Sequence, residues 1–240
     1  AGPAHEPGGG GEVALVSALM PFGVLVAWGT IAALDLVSVP QGLLSRPLVV
    51  GTVAGWLAGD LEAGLRVGVL FECFALDVLP IGAVRYPDYG PATVAAVALS
   101  AGVPWEGGLG VATALGLVLA AVGGWSMQVV RRWNARAIQQ RSAALAAGEG
   151  GAIRLLQYGG LLRDALRGAT LTAFGLAVAV LAWPRVYMLD RRTAVGLSLV
   201  AIGGALSVVM SGAVRSAGRG ARLRWLLGGS AIGLALAALA

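Results

Sequence analysis

The chain has 240 residues, of which 58% are hydrophobic and only 12% charged, with a mean hydropathy of +0.82. A soluble domain carries about 25% charged residues, so this composition excludes one and implies an integral membrane protein. All 17 basic residues are arginine, and the net charge is +5.

The arginines fall between apolar stretches, the pattern of cytoplasmic anchoring and not of nucleic-acid binding. His5 and Cys73 are each the single residue of their kind. That inventory speaks against a metal centre, a Ser-His-Asp triad or a Cys-His pair, and no cofactor motif is present, neither a P-loop nor a dinucleotide fingerprint. The apolar runs are long and do not alternate, so the expected fold class is all-α: a polytopic membrane helix bundle with broken or re-entrant helices.

In chain order, residues 1–12 read as a flexible N-terminal tail and 13–240 as a single transmembrane domain. Val13–Val37 is the first apolar span, with Asp35 near its end. Ser38–Arg46 is a break containing Pro40 and Gln41. Pro47–Leu57 is too short to cross a bilayer and stops at Gly59-Asp60, as a re-entrant segment does. Asp60 reads as the N-cap of the next helix. Gly64–Leu79 follows, with Arg66, Glu72 and Asp77 in an apolar frame, then a turn-forming stretch through Pro87-Asp88 and a short apolar piece, Ala92–Val103.

Leu109–Val130 is a clean span. From Arg131 to Arg167 the chain is polar, with seven arginines against Glu149 and Asp164, and is expected to be a cytoplasmic loop. Within it, Leu155–Leu166 reads as an amphipathic surface helix. Gly168–Trp183, Thr193–Met210 and Trp225–Ala240 are further spans, and their arginine-bearing connections place the C-terminus outside.

Carboxylates at membrane depth are costly and point to a pathway or a partner, and apolar segments broken by Gly and Pro mark transport sites. The candidate substrate ligands are therefore Glu72, Asp88, Asp77, Gln41 and Asp35. A carboxylate at Glu72 suits the hydroxyls of a sugar or polyol as an acceptor, and Asp35 and Gln41 flank the first break and are expected to face the same cavity. The competing assignments are structural: an ion pair of Glu72 with Arg66 or Arg85, a pairing of Asp77 with Arg85, a turn or cap role for Asp88, and a clamp on backbone carbonyls by Arg46.

Arg46-Pro47-Leu48-Val49, Gly59-Asp60-Leu61, Gly64, Gly68, Glu72, Ala75-Leu76, Ile81-Gly82-Ala83 and Pro87-Asp88 together resemble the IIC membrane subunit of the mannose/fructose/sorbose-type sugar phosphotransferase system. The resemblance implies a permease with re-entrant hairpins that translocates a hexose-like sugar in the bacterial inner membrane. It implies a IID-type membrane partner, commonly in a trimer of heterodimers within the lipid, and soluble IIA and IIB phosphocarriers that phosphorylate the sugar on the cytoplasmic side. It implies no phospho-accepting residue in this chain, and places Glu72 and Asp88 near the sugar. Asp77, Pro80 and Arg85-Tyr86 depart from the family's usual residues. The alternative is a permease-like structural subunit of a larger membrane complex, with its charges spent in ion pairs.

Overall fold

The computed structural model describes residues 9–76, 85–103 and 105–217, with side chains described over 22–76, 85–103 and 108–211. Eight α-helices and no strand occur among the described residues. Helix α1 (Gly9–Val37) is followed by the irregular segment 38–46, and then by α2 (Pro47–Leu57) and α3 (Leu61–Ala75). The remaining helices are α4 (Tyr89–Ser100), α5 (Trp105–Gln140), α6 (Ser142–Ala146), α7 (Gly150–Tyr187) and α8 (Arg191–Ala217). Asp77, Pro80 and the apolar segment 225–240 lie outside the described residues.

Helices α2 and α3 form an antiparallel hairpin. With 11 and 15 residues they are about 16 and 22 Å long, short of the roughly 30 Å hydrocarbon core. Two glycine pairs let the backbones touch. A Cβ on Gly55 would lie 2.7 Å from Gly64 Cα, and one on Gly51 2.7 Å from Gly68 Cα. Each helix thus presents glycines four residues apart, the spacing by which membrane helices approach closely. Asp60 closes the tip as expected: it accepts from Ala63 N at 3.0 Å and from Gly102 N at 3.1 Å. The second bond ties the hairpin to the end of α4.

Helix α4 is apolar all round and enclosed, as such a helix must be. Ala92, Val94, Ala95, Ala96, Val97 and Leu99 have no solvent exposure, and α1, α2, α3, α5 and α7 pack around it. Trp183 of α7 donates to Ala101 O at its far end, and Trp28 of α1 donates to Val50 O of α2, both at 3.1 Å.

Gly108–Gln140, Gly150–Tyr187 and Arg191–Ser211 are long and apolar enough to cross a membrane. The polar segment 131–167 is not a loop. α5 runs on to Gln140 and α7 begins at Gly150, so most of the seven arginines ride on helical extensions joined by α6 and a turn at Gly148 (φ 71°). The expected surface helix at 155–166 is part of α7. Polar composition there does not interrupt the helices, which continue to Gln140 in α5 and from Gly150 in α7. Between α7 and α8, Asp190 caps the latter, and the hydroxyl and N–H of Thr193 hold its carboxyl below the ordinary carboxylate range.

Candidate functional site

Irregular backbone within an apolar bundle persists only where other groups satisfy it. In the break after α1 that role falls to Asp35. Its carboxylate, 2% exposed, accepts from Gly42 N at 2.6 Å and from Ser45 N at 2.7 Å. On either side of Gly42, Gln41 (φ 57°) and Leu43 (φ 67°) adopt the left-handed region, which costs a non-glycine residue about 1 kcal/mol or more. Two hydrogen bonds to a charged acceptor are of the size needed to hold that backbone.

Arg46 follows, with Pro47 opening α2. Arg46 makes no side-chain cap for that helix. The cap comes from across the hairpin, because the end of α3 lies beside the start of α2. Glu72 accepts from Leu48 N at 3.2 Å and forms an ion pair with the Arg46 guanidinium. A carboxylate at a helix N-terminus opposes the dipole favourably. Glu72 therefore pairs with Arg46, neither with Arg66 nor with Arg85, and Arg66 bonds Glu62 one turn back. Arg46 clasps a carboxylate rather than backbone carbonyls.

Asp88 precedes α4 in extended conformation. Its N–H donates to Ala120 O of α5 at 2.9 Å. Gly123 of α5 makes room for it: a Cβ there would meet Asp88 Cβ at 2.7 Å. The carboxylate has no solvent exposure and receives Arg167 Nη1 of α7 at 2.6 Å. Arg167 Nε donates to Asp164 Oδ1 at 2.9 Å, and Ser38 Oγ donates to Asp164 Oδ2 at 2.7 Å. One buried guanidinium thus sits between two carboxylates and links the 85–88 segment, α7 and the end of α1. Asp88 Oδ1, Arg167 Nη2 and Thr93 Oγ1 are buried with no hydrogen-bond partner.

Two cavities meet beside these clusters. The smaller, about 420 Å³, is walled by Asp35, Gln41, Ser45, Arg46, Tyr86 and Tyr89 among others. The larger, about 660 Å³, opens between the end of α1 and the extensions of α5 and α7. Leu36, Gln41 and Tyr86 line both and separate them.

Asp35 and Gln41 thus come together at the smaller cavity, and Glu72 reaches it through Arg46. Asp88 is not among the residues of its wall; its carboxylate is buried between α5 and α7 against Arg167. Asp77 lies outside the described residues. Arg167, Asp164 and Ser38 were not among the expected residues. An acid and a base three residues apart at 164 and 167 was the available sign of a network, masked by the arginine-rich composition around it.

A hairpin of helices too short to cross, packed against an enclosed half-helix and flanked by long spans, defines a polytopic membrane protein of transporter architecture. The model of the sorbose-specific IIC component of the PTS matches residues 19–213, and the chain belongs to that family. Over 127 residues, 53% of this chain, it is 29% identical to the fructose permease IIC component of Bacillus subtilis (strain 168), and the match spans 46% of that relative. Two solved structures share the fold. One, described only as a membrane protein, has a TM-score of 0.69 at 22% identity and covers 92% of this chain and 94% of its own. The other, the mannose transporter ManYZ in complex with microcin E492, has a TM-score of 0.59 at 21% identity, covering 92% and 87%.

Proposed function

We propose that the chain is the permease subunit of a sugar phosphotransferase system, translocating a hexose-like sugar for phosphorylation by a soluble IIB partner. The observation that carries this reading is the 420 Å³ cavity at the broken helix ends, a volume within the range of small-molecule sites. Its wall offers a carboxamide, a hydroxyl, a guanidinium and two tyrosines, which are donors and acceptors for sugar hydroxyls beside aromatic faces. Gln41 contacts the sugar, Asp35 shapes the loop that carries Gln41, and the Arg46–Glu72 pair supplies charged donors and acceptors. Asp77 belongs to the same region by sequence. Asp88 acts as a positioning residue through Arg167.

The same reading places the arginine-bearing extensions of α5 and α7 on the cytoplasmic face of the bacterial inner membrane, where IIB and IIA work. Leu199, Val200 and Leu206 of α8 are exposed and face lipid or a IID-type subunit in an oligomer. The test is equilibrium binding of radiolabelled hexoses to the chain copurified with its membrane partner. Gln41→Ala and Glu72→Gln should each weaken the best hexose about tenfold, the loss of one or two hydrogen bonds. Unchanged affinity in both variants would refute the site.

A second reading, a structural subunit that no longer transports, draws on the engagement of Asp88 and Glu72 in ion pairs. It predicts that no hexose binds to the intact complex, while Arg167 variants still lose stability.

A further inference from the structure

The larger cavity differs in chemistry from its neighbour. It lies against the helical extensions that carry the arginines, and its polar lining includes Arg131 and Asn134 of α5, Gln157 and Arg163 of α7, and Gln41. Arg163 Nη1 donates to Asn134 Oδ1 at 2.9 Å. Arg131 Nη2 donates to Tyr86 Oη at 3.0 Å, and its guanidinium carbon stands 5.4 Å from the Tyr86 ring centroid. The carboxylate in this lining, Asp164, has a side chain only 4% exposed and is bonded to Arg167 and Ser38. The cavity is therefore presented with positive charge and N–H donors, and its acid is already engaged.

A neutral sugar can only accept hydrogen bonds from guanidinium groups, whereas a doubly charged phosphate also gains charge pairing from two of them. Guanidinium forks match phosphate geometry, and charge-assisted bonds to it are roughly twice as strong as neutral ones. The position adds a second argument. Tyr86, Gln41 and Leu36 form the shared wall, so the two cavities are neighbours divided by these side chains. The group that holds Tyr86 in place is Arg131, one of the two arginines an anion would engage.

We propose that the larger cavity is a phosphate-monoester site that binds the phosphorylated sugar, with Arg131 and Arg163 on the phosphoryl oxygens and Asn134 and Gln157 as additional donors. Arg131 exchanges the Tyr86 hydroxyl for a phosphoryl oxygen, so anion binding and movement of the shared wall are linked. The identity of the organic part rests on the permease reading above. The anion site itself does not.

The experiment is equilibrium binding to the purified full chain in lipid nanodiscs at constant ionic strength, with three probes: an uncharged hexose, the same hexose 6-phosphate, and inorganic phosphate. Wild type is compared with Arg131→Gln, Arg163→Gln and Tyr86→Phe. Hexose 6-phosphate should weaken about tenfold or more in each glutamine variant, with hexose affinity within about twofold of wild type in Arg163→Gln. Tyr86→Phe, which removes the hydroxyl competing for Arg131, should bind the phosphate ester more tightly. An ester that does not bind, or one that binds both glutamine variants as tightly as wild type, overturns the proposal. Equal affinity for the ester and for inorganic phosphate overturns the sugar-phosphate assignment and leaves a free-phosphate site. Loss of hexose binding in wild type, with arginine-dependent phosphate binding intact, refutes the permease reading and supports the anion site.

Discussion

Arg167 and Asp88 are 79 residues apart in sequence and 2.6 Å apart in the fold, with side chains 5% and 0% exposed. The pair ties the start of α4 to α7. Removing one member of a buried pair costs about 3–5 kcal/mol, because the other charge is left unpaired. Arg167→Met should therefore destabilise the protein by that amount, lowering the midpoint of thermal unfolding in detergent. Asp88→Asn alone should cost less, since the neighbouring Asp164 still pairs with Arg167. The double variant Asp88→Asn/Arg167→Met should be more stable than the sum of the two single losses predicts. Strict additivity would show that the pair is not coupled.

The Arg46–Glu72 pair calls for a smaller effect. The two side chains are 37% and 21% exposed, where an ion pair contributes about 1 kcal/mol or less. Glu72→Gln also weakens the acidic cap at the start of α2, by about 0.3–1 kcal/mol. The expected outcome is a modest stability loss of about 1 kcal/mol, far below that of Arg167→Met. Sugar affinity should fall equally in Glu72→Gln and Arg46→Gln, and no further in the double variant. A double variant with an additional loss would show that each residue contacts the sugar separately.

Much of this arrangement could be read from the residues. Pro47 at the first helical position and Asp60 at the next N-cap bound α2 and start α3, and both features are local. The glycine pairs at 51/55 and 64/68 are local as well, and their spacing announces a close helix pair. The partner of Glu72 was harder to read. Arg66 is nearer in sequence, but six residues apart on a helix puts the two on different faces. Arg46 becomes the neighbour only once the hairpin has closed. Asp88 and Arg167 lie further beyond reach. Asp164 and Arg167 belong to a stretch whose arginine-rich composition says nothing of its helical continuation or of the buried partner 79 residues away.

The hairpin interface gives a steric prediction. A Cβ at Gly55 would approach Gly64 Cα to 2.7 Å, and the neighbour is backbone that cannot swing aside. Gly55→Ala should force the two helices apart at a cost of about 1–3 kcal/mol. Gly203→Ala is the control, since nothing lies within 4 Å of its Cβ position. It should leave stability unchanged or slightly raised, given the higher helix propensity of alanine. Thermal unfolding and yield of folded protein from size-exclusion chromatography read both. Equal behaviour of the two variants would refute the close glycine contact.

Asp35 gives the last prediction, because its two acceptor oxygens have distinct jobs. Oδ1 takes Gly42 N and Oδ2 takes Ser45 N, and the residues flanking Gly42, Gln41 and Leu43, are held with positive φ. Asparagine in its place keeps the size but offers one acceptor. Its amide nitrogen, a donor, would face a backbone donor, so one of the two N–H groups loses its partner. The cost of such an orphan is about 1–3 kcal/mol, and the left-handed residues no longer have the contacts that hold them. Asp35→Asn should speed amide hydrogen exchange across residues 38–46 while the α2–α3 hairpin keeps its protection. Because Gln41 stands in the shared wall of the two cavities, hexose and hexose-phosphate affinity should fall together in this variant. If exchange accelerates without any change in either affinity, the loop is a structural connection and Gln41 is not a ligand.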